Sequence, residues 1–167
     1  MNNNKIQAFK DILYYLNKWY KEENPDKESN DLSILKVMKL LFFVAGVDKE
    51  NHLFDIFNNF QAWQYGHVEA DVYDDYSKHK GNLGEIQINR VNLTIDDSFE
   101  PSGKYSNAKN NINKLKEINK NLISYDAFKL VDISHSYSSW DIYYNKLNKR
   151  YEVIEPEILR YEPKYYN

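Results

Sequence analysis

Apolar residues at Ile6, Phe9, Leu13, Leu16 and Tyr20 recur every three or four positions. That is the spacing of a helix with one face turned to a core. The charged stretch KEENPDKESND, residues 21–31, contains Pro25 and predicts an exposed loop. LSILKVMKLLFFVAGV follows. Ser33 is placed to cap a helix there, because its hydroxyl can accept a free backbone N–H of the first turn. Leu35, Met38, Leu41, Phe42 and Ala45 form one face, and Val37, Leu40 and Val44 cover much of the rest. A helix apolar nearly all round is a buried one. This segment, about 34–46, is therefore predicted as the central helix, with Gly46 near its end.

The aromatic stretch HLFDIFNNFQAW, residues 52–63, predicts a loop with a helical turn or a small strand. Val68 to Lys78 predicts a helix on which Val68, Val72 and Tyr76 share a face. Glu69 and Asp71 fall in its first turn, where acids suit the dipole. Partial alternation at Ile86, Ile88, Val91, Leu93 and Ile95 predicts a short β-hairpin or an extended excursion near 83–97. Ala108, Ile112, Leu115, Ile118 and Leu122 define another amphipathic helix. Ser124 is placed to cap the next, where Ala127, Leu130, Val131 and Ser134 share a face. Ile142, Tyr143 and Leu147 predict a short helix, and Pro156 suits the first position of a last one. No repeat or long linker breaks the chain. The pattern predicts a mainly α, compact single-domain helical bundle.

The chain has 167 residues, 42% hydrophobic and 16% aromatic, enough for one globular core. Net charge is −3 with no basic stripe, so charge gives no argument for a nucleic-acid partner. With no Cys, disulfides, thiol catalysis and Cys-ligated zinc are excluded. The longest apolar run, Leu40 to Val47, is too short for a membrane span, and the N-terminus lacks signal-peptide organisation. These features predict a cytoplasmic protein without a membrane partner. The frequent Asn, Lys and Tyr read mainly as coding bias.

Candidate chemistry centres on FQAWQYGHVEADVYDDY, residues 60–76. His67, Asp71, Asp75 and His79 are spaced by four, and such pairs on a helix can hold a transition metal. Only adjacent pairs truly face each other, so a solvated acidic face is the favoured reading. Asp132, Ser134 and His135 are the residue types of a hydrolytic triad, but on one helix they do not face one another. His135 and Trp140 are expected to form a packed helix end, with His135 satisfying free carbonyls. Gly66 allows a bend that a side chain would block. Trp63 and Tyr65 precede that bend and are expected to pack against the central helix. No catalytic or cofactor motif is found.

Three blocks together resemble the Panacea domain family, also described as SocA-like or phage-associated GepA-like proteins. The first is LSILKVMKLLFFVAG, with Lys39, Leu40 and Leu41. The second is FQAWQYGHVEADVY, with Trp63, Tyr65, Gly66, Val68 and Tyr73. The third is YDAFKLVDISHSYSSW, with Ser134, His135 and Trp140. They span residues about 32–140, and the resemblance extends the expected domain to 1–167. One departure is His67, where the family usually has Pro. Pro would pre-set the backbone; His67 keeps an N–H, which predicts a less rigid bend.

The resemblance implies a bacterial, often prophage-encoded antitoxin that binds a cognate toxin protein directly and is not an enzyme. Tyr105, Tyr137, Trp140, Tyr161, Tyr165 and Tyr166 are the expected contact residues, since Tyr suits such interfaces. The alternatives are a proteolytic adaptor that hands a toxin to a AAA+ protease, and a phage-associated protein of another role. A metal-dependent hydrolase using His67, Asp71, Asp75 and His79 ranks below them.

Overall fold

The run predicted as the central helix is the buried centre of the molecule. In a computed structural model that describes residues 3–167, every residue from Ile34 to Gly46 except Leu35 is buried. The Ser33 hydroxyl accepts the Lys36 N–H at 3.3 Å and starts this helix. Around it the chain runs α1 (Asn3–Glu23), α2 (Ile34–Gly46), β1 (Phe60–Trp63), β2 (Gly66–Glu69), α3 (Ala70–Lys78), β3 (Ile86–Ile88) and β4 (Leu93–Ile95). It continues through α4 (Ser106–Ile118), α5 (Ala127–His135), α6 (Ser138–Asp141) and α7 (Pro156–Tyr161). The described residues thus form a mainly α fold with seven α-helices and two small antiparallel strand pairs.

Both α4 and α5 pack on α2, α1 packs on α4, and β2 contacts both α2 and α5. One continuous apolar core takes in Phe9 and Leu13 of α1, Phe42 and Phe43 of α2, Leu130 of α5, and Tyr166 of the tail. No helix among the described residues is long and apolar enough to cross a membrane.

Several local predictions shift. The buried face of α1 includes Ala8, Ile12 and Trp19, whereas Ile6 is only half-buried. Val68 lies in β2, because Phe60–Trp63 pairs antiparallel with Gly66–Glu69. The following helix starts only at Ala70, where the Glu69 carboxylate caps the N–H groups of Asp71 and Val72. The segment near 83–97 is a hairpin with Ile86 opposite Ile95 and Ile88 opposite Leu93. Leu122 belongs to a separate 3₁₀ turn, since the chain turns extended at Asn119. Asp126, adjacent to the first turn of α5, caps it by accepting Lys129 N–H at 2.9 Å; Ser124 ends the 3₁₀ turn instead. After α6 the chain makes a π-helical turn over Ile142–Lys146. Pro156 does open α7.

Candidate functional site

The three sequence blocks meet at the turn between β1 and β2. Gly66 sits there at φ +101°, and a Cβ on it would lie 2.5 Å from the Ser134 Oγ of α5. The absent side chain lets the hairpin touch α5 directly. His135 reaches across: its Nε2–H donates to the Gln64 carbonyl at 3.0 Å, and its ring stacks on Trp140 with centroids 3.9 Å apart. Trp140 donates its indole N–H to the Trp63 carbonyl at 2.7 Å. His135 therefore satisfies a carbonyl of the hairpin and not of its own helix, while Trp140 folds back as expected.

His67 is buried beneath this turn. Its ring lies flat on Phe42, centroids 3.6 Å apart and planes 6° apart. Nδ1 is 2.7 Å from Ser134 Oγ and Nε2 is 2.8 Å from Ser139 Oγ. Ser139 Oγ donates to Glu162 Oε2 at 2.8 Å, and the Ser139 N–H donates to Oε1 at 2.9 Å. One arrangement uses each donor once. Ser139 gives its proton to the carboxylate, Nε2–H donates to Ser139, and Ser134 donates to Nδ1. Ser134 Oγ in turn accepts the His67 backbone N–H at 3.0 Å. Burial, with Lys39 nearby, holds the His67 ring well below its usual pKa and keeps it neutral. Burial pushes the Glu162 carboxyl upward against the donors that hold it. The bend is therefore not loosened by His67: the ring is fixed on one face and at both nitrogens.

The hydrolytic and metal readings find no geometry. Ser134 and Ser139 are fully buried, so no substrate reaches the chain of hydroxyls. Asp132 is exposed and His135 is turned to Gln64, so Asp132, Ser134 and His135 form no triad. His67 is held by serines and Asp71 by Lys5 and Asn59; only Asp75 and His79 approach, at 3.5 Å. No metal-binding cluster of three or more His, Asp or Glu occurs among the described residues.

Lys39 lies fully buried under Gly66, and its ammonium donates to the His67 carbonyl. No carboxylate pairs with it among the described residues, and burial lowers its pKa from 10.5 to about 7. Between those two values the unfolded chain binds a proton that the folded chain does not, so stability rises with pH there. Lys164, lowered to about 8, acts in the same sense. Glu162 opposes the trend at the acidic end. Thermal melts are thus expected to move upward from about pH 7 to about pH 9, with a shallower rise for Lys39→Met. A flat or falling profile would show that Lys39 titrates normally in the fold.

Above Lys39 a groove of about 410 Å³ opens between the hairpin turn and the first turns of α2 and α5. Met38 and Val68 lie inside it, and Tyr65 and Phe128 stand at its edge in a T-shaped contact, 5.9 Å between centroids. Tyr65 is thus 48% exposed and packs on α5 and not on the core. Neither Phe128 nor Arg90, which also lines the groove, stood out in the sequence.

Of the expected contact residues, Tyr161 and Tyr165 are exposed. Tyr105 is half-buried, its hydroxyl donating to the Asn4 carbonyl. Tyr137, Trp140 and Tyr166 are buried and serve the core: Tyr137 packs edge-on to Phe42, and Tyr166 edge-on to Phe43. Among the motif residues, Leu40 and Leu41 are fully buried, whereas Tyr73 is half-buried against Trp63.

No match was found among curated proteins or among solved structures. A family description, "Antitoxin SocA-like, Panacea domain", matches residues 37–141. That span holds Lys39, the hairpin, Ser134, His135 and Trp140, the residues that converge around Gly66. The chain belongs to the SocA-like antitoxin family and carries its Panacea domain.

Proposed function

We propose that the chain is the antitoxin of a toxin–antitoxin module and neutralises a cognate toxin by direct protein–protein binding. Membership of the SocA-like antitoxin family carries this reading. The buried state of every hydroxyl and imidazole in the His67 network supports a binding role over a catalytic one. The domain is taken as the whole of 1–167, because α1 and the tail complete the core that the matched segment begins. The exposed rings Tyr161 and Tyr165 belong to the proposed contact surface, where aromatic residues contribute area and a hydroxyl.

Co-expression with the product of the neighbouring gene tests it. Growth should be restored and the two proteins should purify together. Continued toxicity with no complex would exclude the module. If the partner is instead lost rapidly in the presence of this chain and a AAA+ protease, delivery for proteolysis replaces neutralisation.

A further inference from the structure

The groove over Lys39 has a charge pattern unlike the rest of the molecule. The chain carries 25 acidic residues against 22 basic ones, yet no Asp or Glu lines this groove. Its charged lining is Arg90 and Lys39. Arg90 is exposed and has no ion-pair partner among the described residues. Lys39 is buried and bonded to a carbonyl alone. Asp126, next in sequence to Ala127, caps Lys129 N–H, and Glu69, next to Val68, is held by Lys5 and the start of α3. The first residue of α2 also lines the groove, so the positive end of that helix, capped by the neutral Ser33, contributes. The remaining lining is largely apolar and ends in two exposed rings, Tyr65 and Phe128.

We propose that this groove seats an acidic, apolar segment of a partner protein. One large apolar side chain enters beside Met38 and Val68, and an adjacent Asp or Glu pairs with Arg90 at the rim. Tyr65 and Phe128 close over the inserted side chain, the arrangement of a desolvated anchor ringed by aromatic contacts. The inference rests on the protein-binding reading above and names the chemistry of the segment bound.

A phage-displayed library of random dodecapeptides, panned on the full chain, tests the groove without the partner. Enriched sequences should place Phe, Leu, Ile or Trp next to Asp or Glu. Their synthetic peptides should bind about tenfold more weakly to Arg90→Glu and to Phe128→Ala. Both residues are exposed, so both variants should fold. Ile118→Ala and Leu147→Ala, exposed and outside the groove, should bind them as the wild type does. Absence of enrichment, enrichment of basic or uncharged sequences, or undiminished binding to both groove variants would overturn the proposal. Selection of acidic apolar peptides without rescue from the neighbouring gene product would retain the groove and exclude the toxin reading. Rescue that Arg90→Glu leaves intact, without peptide selection, would do the reverse.

Discussion

His67→Ala should destabilise the protein by about 4 kcal/mol. For a chain of this size that lowers the melting temperature by roughly 10 °C. Two losses combine. The ring's flat contact with Phe42 disappears and leaves a void, because α2 and α5 are fixed by their own packing. The Ser134 hydroxyl then has no Nδ1 to meet, and Ser139 loses the Nε2–H; an unsatisfied buried group costs about 1–3 kcal/mol. His67→Pro, which restores the usual family residue, should not recover the loss. It removes the same ring and also the N–H that Ser134 accepts. Denaturant titration of His67→Ala, Ser139→Ala and the double variant measures the coupling, expected at about 1 kcal/mol or more. A His67→Ala chain within about 1 kcal/mol of wild type would show that the network adds nothing to stability.

Gly66→Ala should lower stability by about 3 kcal/mol with every native side chain still present. At φ +101° an L side chain is strained, and its Cβ would meet Ser134 Oγ at 2.5 Å and Ser134 Cβ at 2.9 Å. Ser134 has nowhere to go, since it is fully buried on α5 and tied to His67. Relief requires the hairpin and α5 to separate, which would also stretch the bonds from His135 to Gln64 and from Trp140 to Trp63. Gly103→Ala is the control: φ is +72°, but nothing lies within 4 Å of the new Cβ. Only the conformational term remains there, about 1 kcal/mol. Calorimetric melts of the two variants should differ by several degrees. Equal shifts would mean that the close approach to Ser134 is without consequence.

Much of this architecture is legible in the chain because it is local. The run around Leu40 and Leu41 with its Ser33 cap defines α2, and Gly66 announces a bend. Four-residue spacing groups His67 with a helix face, whereas its backbone pairs with Ala62 in a strand. The same mismatch put Asp71 and Asp75 beside it on paper and apart in space. Glu162 and Ser139 carry no signal at all: their role depends on the tail returning to a ring far upstream. The groove is hidden for a similar reason. Arg90, Tyr65 and Phe128 come from three separate segments; Arg90 and Phe128 each read alone as ordinary surface residues, and Tyr65 as a core ring.

The path from His67 to Ser139 to Glu162 also sets a clock. Ser139 is made 72 residues after His67, and Glu162 another 23 later. At translation rates of roughly 5–20 residues per second, the imidazole waits on the order of ten seconds for its full set of partners. Nascent chains halted before Glu162 should therefore lack the anchor on Ser139, and the buried network beneath Gly66 closes only once Glu162 has emerged.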